Sequence, residues 1–419
     1  MDADLILKNA IVVTMDAKRR ILDNGTVVVA DGKIIDVDEK ENVKWQAKKV
    51  IDCGGDLLIP GFVDCMGDAG RTVDHMAADW PLTGWENAIY NAAQMEEAWW
   101  EEEGAREANL ALFFGITSVH RAMPAFIKAG CVDAFQKGAG EKGLRMIVSC
   151  GPDLQADRDK FEEQMKETVK ILEHSDRRLY IKRPSCAASA LFPQRILPGS
   201  VPPDLERCQE RIKYLLRSVL PQTPLTAQMS GGELTIYLQA VPELAEREMI
   251  LFGMHGADLG EIGQMQKNSF TYVHIPQTHL RTPLFLKMLA AGIPCAIAPG
   301  TANRRIPRDM LLAGRRAMLE EITALDDYHY LPAGKVLELM TVEAAKVLGE
   351  DEVSGSIEVG KQANLSVLGW HTAHMTPNFM PVQAMILRGY GQDIHTVVAN
   401  GRVVKRNGHL TEGKEGEDA

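Results

Sequence analysis

Over roughly the first fifty residues, apolar positions fall in short runs rich in Val and Ile, cut by tight-turn dipeptides. Asp4–Asn9, Ala10–Met15, Thr26–Ala30 and Lys33–Asp36 read as strands, with Asn24-Gly25 and Asp31-Gly32 as turns. At Leu57 the pattern changes to short apolar runs alternating with longer segments of helical period. Leu57–Val63, Ile116–His120, Arg145–Cys150, Leu179–Lys182, Leu225–Met229, Met249–Met254, Thr271–Ile275 and Pro294–Ala298 are the strand candidates. Met95–Phe114, Arg158–His174, Asp204–Leu220, Glu233–Leu244, Glu261–Lys267 and Pro283–Ala291 are the helices between them. Strands alternating with helices in this number predict a closed parallel barrel, with the chemistry at the C-terminal ends of its strands.

Beyond the barrel, Gly334–Leu348 reads as one amphipathic helix whose Leu337, Met340, Ala344 and Val347 face a core. Strand signals then return at Gly355–Val359, Ala363–Leu368, Ala384–Leu387, Ile394–Ala399 and Arg402–Val404, with Asn400-Gly401 as a hairpin turn. The expected fold class is α/β: a distorted (β/α)8 TIM barrel over residues 57–350, plus a small composite β-sandwich domain formed by both termini, residues 1–56 and 351–419.

Composition narrows the partners. Basic residues number 46 against 57 acidic ones, a net charge of −11 that disfavours nucleic acid and anionic membranes. The seven cysteines are widely spaced with no C-x-x-C, which suits reduced thiols better than a disulfide framework. Two acids precede the first apolar run, so no secretory leader is indicated, and no apolar run is long enough to span a bilayer. A cytoplasmic protein is expected. Trp99 and Trp100 open a helical stretch and are expected to pack it.

Several segments, taken in order, resemble the amidohydrolase superfamily, and within it the branch of nucleoside, guanine, cytosine and triazine deaminases and chlorohydrolases. They are Ile59-Pro60-Gly61-Phe62-Val63-Asp64, Gly115-Ile116-Thr117-Ser118-Val119, Val273-His274-Ile275-Pro276, and Thr341-Val342-Glu343-Ala344-Ala345 followed by Gly355-Ser356-Ile357-Glu358-Val359-Gly360-Lys361-Gln362-Ala363-Asn364-Leu365. Ala78-Asp79-Trp80-Pro81-Leu82-Thr83-Gly84-Trp85 resembles that branch's lid loop. The resemblance implies metal-assisted hydrolysis, with ligands in an H-x-H after the first strand, a His on the fifth and an Asp on the eighth.

Position by position, those ligands are replaced. Met66 and Asp68 stand at the H-x-H, Gln228 at the fifth-strand His, and Gly231 at the general acid/base Glu. Gly300 or Ala302 stands at the eighth-strand Asp, and no acidic residue occurs between Glu261 and Asp309. A thioether and an amide suit a hard or borderline dication poorly. The sequence therefore leads us to expect no metal: the usual zinc or iron site is absent and no cofactor replaces it.

The remaining candidates for acid–base chemistry are His255, Asp68, His274 and His120, each weighed against a structural role. Lys182, Gln228, Met66, Trp80, Trp85, Arg281, Arg304 and Ser185 are the candidate substrate contacts. Arg281, Arg304, Arg305 and Arg308 sit in the carboxylate-free stretch, where an anionic group on a small-molecule substrate would suit them. The expected function is a metal-independent hydrolase that opens or hydrolyses a small cyclic or amide-like substrate, assembled as a homodimer or larger homo-oligomer. Two alternatives stay open: a non-catalytic binding or assembly homologue, and a metal-dependent deaminase or hydrolase of C–N bonds with a rearranged site.

Overall fold

The computed structural model describes residues 2–39, 45–70, 92–124, 127–154, 156–174, 177–181, 205–276, 284–300, 308–325 and 331–411. The two N-terminal apolar runs form one continuous strand, β1 (Asp2–Val13). Asn9 takes a left-handed backbone (φ 57°), and the register slips beside it, so the ladder continues through a bulge where the sequence suggests a break. β1 pairs antiparallel with β2 (Ile21–Ala30), which turns through Asp31-Gly32 into β3 (Lys33–Asp38). Both turn residues have positive φ, 48° and 74°, the geometry that Asp-Gly tolerates and that matches strand twist. β4 (Gln46–Asp52) runs parallel to the first half of β1 and β5 (Leu57–Pro60) to its second half. β4 has no counterpart in the hydrophobic pattern, since most of its residues are exposed.

Gly61 is the crossing point. Its N–H donates to the Asn364 carbonyl at 2.8 Å, and a side chain there would run into Thr117. The chain then enters a parallel sheet of eight strands in sequential order. These are β6 (Phe62–Asp68), β7 (Ile116–Ala122), β8 (Arg145–Cys150), β9 (Arg177–Ile181), β10 (Leu225–Ser230), β11 (Met249–His255), β12 (Thr271–His274) and β13 (Cys295–Ile297). Between them lie α1 (Glu97–Phe113), α2 (Ala129–Glu141), α3 (Arg158–Ile171), α4 (Leu205–Ser218), α5 (Glu233–Ala240), α6 (Leu259–Lys267) and α7 (Leu284–Ala290), and α8 (Met310–Leu325) follows the last strand. This is the (β/α)8 barrel of the sequence reading.

α2 and α8 are additions to that reading. α2 carries Gly130, Gly138 and Gly140, which lower helix propensity. The first two turns of contact explain why Gly is needed: a Cβ on Gly138 would overlap the Glu101 carbonyl of α1, and one on Gly104 would overlap that of Phe135. The two helices meet backbone to backbone, with fully buried Trp100 edge-on to Phe135 at 5.4 Å. Trp100 is thus a packing residue, as expected, and Trp99 lies edge-on to it at 5.0 Å.

Past the barrel, the predicted single helix is two, α9 (Ala333–Met340) and α10 (Val342–Val347). Thr341 breaks them, its Oγ1 bonding back to the Leu337 carbonyl at 2.7 Å. β14 (Leu365–Leu368) follows. Ala384–Leu387, read as a strand, lies inside α11 (Pro381–Arg388), which opens on a proline at its first position. Gly355–Val359 is irregular. β15 (Ile394–Ala399), β16 (Arg402–Arg406) and β17 (His409–Leu410) finish the terminal sheet, ordered β17-β16-β15-β14-β5-β1-β2-β3 with β4 on β1. Both chain ends therefore share one sheet, around a core that includes Leu7, Val12, Val27, Leu58 and Val367. No helix among the described residues is long and apolar enough to cross a membrane.

Lys405 of β16 ties this sheet to the barrel. Its Nζ donates to the carbonyls of Phe113 at 2.6 Å and Ile394 at 2.5 Å, over the Phe113 ring. Burial without a carboxylate pushes the amine down to about 8. The unfolded chain then binds the extra proton between that value and the ordinary lysine range, so this group adds stability as pH rises through that window. Buried thiols such as Cys150, raised to about 12, act in the opposite sense at higher pH. In urea melts, the stability difference between wild type and Lys405→Met is expected to shift toward the wild type, by on the order of 2 kcal/mol, from pH ~7.5 to ~10.

Candidate active site

The C-terminal ends of β6 and β11 are both bulged. Between Asp64 and Gly67, β6 has one residue more than its partner β7, which turns Cys65 and Met66 together into the barrel core beside Val63, Ala122 and Phe252. Asp68 closes the strand in register with Ala122 and is half-buried. In β11 the extra residue is Met254, at φ 50° after Gly253 at 84°. The bulge sets the His255 backbone opposite Ser230, and the His255 side chain lies outside the described residues. Gln228 pairs in register with Phe252 and is half-buried.

His120 is fully buried, with Nδ1 2.9 Å from the Cys65 carbonyl at the β6 bulge. Burial, and then the Arg178 guanidinium, pull its pKa down to about 3, so the ring is neutral at physiological pH. His274 ends β12, buried and stacked face to face on Phe285 at 4.2 Å. Trp80, Trp85, Lys182, Ser185, Arg281 and Arg304, with His75, His279 and Arg305, lie outside the described residues. The structure thus brings Met66, Asp68, His120 and Gln228 to the barrel's inner wall or mouth, whereas His274 pairs with Ile297 and faces the α7 side of the sheet, away from the interior.

Gly231 stands where the resemblance places a catalytic Glu. A Cβ there would overlap the Gly256 carbonyl group and crowd the Ala257 nitrogen, so the backbone approach between the ends of β10 and β11 leaves no room for a side chain. Two carboxylates that the sequence reading passed over lie close by in the chain. Glu233 is buried in the first turn of α5. Glu261 is buried too and accepts from the Gly232 N–H at 2.8 Å and the Thr235 N–H at 3.5 Å, capping α5 from α6. A carboxylate in the first turn of a helix that follows a strand is the signal that could have found Glu233. Nothing local marks Glu261 as a cap for another helix.

Behind the site, Arg121 is fully buried on the outer face of β7. Its Nε donates to Glu107 Oε1 of α1 at 2.7 Å, and its Nη2 lies 2.7 Å from Asp64 Oδ2 without aligned hydrogen-bond geometry. Arg308, just before α8, pairs with the other Glu107 oxygen. Arg308 is therefore engaged inside the protein and not available to a substrate anion. Burial alone would raise the Glu107 carboxyl, but Arg121 and Arg308 outweigh it and hold it at about 2. Asp64 goes the other way: its burial exceeds what the two guanidiniums offset, and its carboxyl is raised. A cavity of about 420 Å³ opens at the opposite end of the barrel, between Lys33, Gln136, Arg145, Gln362 and Asn400. From the barrel strands its lining takes Arg145, Met146 and Ile147, the first residues of β8, and no residue at a C-terminal strand end.

The model of the Amidohydrolase family matches residues 244–404. A 5'-deoxyadenosine deaminase of Methanosarcina acetivorans is 25% identical over 422 residues, covering 97% of this chain and 93% of the relative. A 5-methylthioadenosine/S-adenosylhomocysteine deaminase of Nitratidesulfovibrio vulgaris is 24% identical over 98% of this chain and 94% of its own. Among solved structures, an adenosine deaminase from Xanthomonas campestris with bound zinc superposes with a TM-score of 0.76 at 19% identity, covering 98% of this chain and 95% of that one. An atrazine chlorohydrolase from Arthrobacter aurescens, complexed with zinc, gives 0.73 at 14% identity, covering 97% and 96%.

The zinc in both neighbours overturns the expectation that no cofactor belongs here: these comparisons point to a metal. The described residues do not by themselves fit one. No three of their His, Cys, Asp and Glu side chains come together as a ligand group, and Met66 and Gln228 offer a thioether and an amide.

Two outcomes test the scaffold. Arg121→Met leaves Asp64 buried without a paired cation and Glu107 with Arg308 alone, and should cost about 3–5 kcal/mol in denaturant melts. Because Glu107 is held below its unfolded value, its share of stability is present above pH ~4.5 and drains away as pH falls toward ~2, a loss that should be smaller in the variant, where Arg308 alone faces the carboxylate. Gly231→Ala should cost about 1–3 kcal/mol through the collision with Gly256, measured as a lowered midpoint at unchanged m-value.

Proposed function

The chain belongs to the amidohydrolase superfamily, and from that premise we propose that it is a hydrolase of the deaminase branch, acting on a C–N bond of a small nucleoside-like amino-heterocycle at the C-terminal mouth of the barrel. The observation that carries this reading is the end-to-end match to a nucleoside deaminase, over 97% of this chain and 93% of the relative, with the barrel and the terminal sheet both retained.

In such a reaction water adds to the ring carbon bearing the amino group, a proton passes to the leaving nitrogen, and ammonia departs. Asp68, half-buried at the end of β6, is the carboxylate to which we assign the taking or giving of that proton. His274 stacks on Phe285 of α7 and supports β12 from the helix side, so we assign it no contact with the ring, and the His255 backbone enters from β11. A divalent metal, when bound, lowers the pKa of the attacking water. In this chain it would have to draw on side chains outside the described residues, His75, His255 and His279 among the candidates.

One observation favours a second reading, a ligand-binding homologue without turnover: the backbone contact at Gly231 leaves no space for the branch's acid/base carboxylate.

The deciding experiment combines three measurements on the purified protein: metal content, calorimetric binding of adenosine and 5'-deoxyadenosine, and ammonia release. The proposal expects about one divalent ion per chain, and ammonia release that Asp68→Asn lowers by roughly 10²-fold or more with the fold intact. Binding without ammonia supports the second reading. No binding and no turnover with either nucleoside defeats the substrate class.

A further inference from the structure

The inner wall of the barrel carries polar atoms that none of the described residues satisfies. Residues paired in parallel register share a face of the sheet. His120 pairs with Ile147, Ser149 with Ala122 and Thr226 with Ile250, and Ile147, Ala122 and Ile250 all belong to the cluster inside the barrel. His120, Ser149 and Thr226 therefore point inward. All three are buried, and Nε2 of His120, Oγ of Ser149 and Oγ1 of Thr226 have no hydrogen-bond partner among the described residues. Leaving such atoms dry costs the desolvation of each group, and native proteins avoid it with water or ligand.

The chemistry of the imidazole can be worked out from its other nitrogen. Nδ1 faces a carbonyl oxygen, which can only accept, so Nδ1 carries the hydrogen. A second hydrogen on Nε2 would make a buried cation with Arg178 and Arg121 nearby as like charges, and burial already opposes it. Nε2 is then left as a lone pair held in a fixed direction by the Cys65 carbonyl. That carbonyl belongs to the β6 bulge, so the ring is positioned by the same irregularity that turns Met66 inward.

We propose that the barrel interior holds a polar binding site in which Nε2 of His120 is a fixed hydrogen-bond acceptor, with the hydroxyls of Ser149 and Thr226 on the same inner wall, for an uncharged N–H or O–H donor. In the free protein the donor is water. In a complex it is the amino or hydroxyl group of a neutral ligand. A cationic ligand is disfavoured by Arg178. The ligand's identity as an amino-heterocycle rests on the proposed function; the acceptor itself does not.

The test has two arms. The first needs no ligand. Long-range ¹H–¹⁵N spectra of the full-length protein, with the His120 signals assigned by their loss in His120→Asn, should show the neutral Nδ1–H tautomer across about pH 6 to 8. A high-resolution crystal structure of the free protein should show a water within hydrogen-bond distance of Nε2. An Nε2–H tautomer, a ring that titrates in that range, or an Nε2 surrounded only by carbon overturns the proposal. The second arm uses adenosine as the probe. His120→Asn keeps a donor for the Cys65 carbonyl but removes the Nε2 acceptor, so binding should weaken about tenfold or more, while His120→Gln, which can present an oxygen near that position, recovers part of it. Unchanged binding in His120→Asn rejects the acceptor's role toward ligand. If the wild type binds no adenosine, the substrate class fails while the first arm still decides the acceptor.

Discussion

Arg121 carries a charge into a place closed off from bulk solvent, and much of the barrel is arranged to make that tolerable. An isolated guanidinium there would cost far more than the whole stability of a domain. Asp64 and Glu107 close on it from β6 and α1, and Arg308 closes on Glu107 from the start of α8. The group joins the first and second strands, the first helix and the segment after the eighth strand. Asp64 also accepts from the Met66 N–H at 3.3 Å, at the edge of hydrogen-bond range, so the charge group reaches the bulge that shapes the inner wall. Such networks add little net stability compared with apolar packing, but they punish any arrangement that separates their members. The precision of the site is supplied from behind it.

The architecture was legible because a barrel repeats one simple rule. Buried parallel strands read as apolar runs, and helices between them read at their own period. The omissions have local reasons. α2 is rich in glycine because two helix backbones touch there, a demand made by α1 and invisible in the α2 sequence. β4 is mostly exposed and carries no alternation. Ala384–Leu387 is a short apolar run, the case in which helix and strand cannot be told apart by period.

The site was legible as a set of positions and not as a set of contacts. The motif order located Met66, Asp68, Gln228 and His274 on the strands that carry them. It could not show that β6 and β11 are bulged, that His120 spends one nitrogen on the Cys65 carbonyl, or that Glu261 of one helix caps another. Each of these depends on a partner far away in the chain. The replaced ligand positions also suggested more than they could carry: absence of residues at known places is not absence of a cofactor, and zinc in two neighbours of the same fold corrected it.

The shared terminal sheet has a consequence for how this chain comes to be folded. β5 hydrogen-bonds to β14, pairing Pro60 with Leu365, so the strand edge made among the first sixty residues waits roughly three hundred residues for its partner. During synthesis that edge is open while the whole barrel is being built beside it. Gly61 makes the wait mechanical as well, since the residue that starts the barrel is tied by its own N–H to Asn364. The last strands thus act as a latch: a chain that stops short of them leaves the first barrel strand without its anchor, however complete the barrel itself.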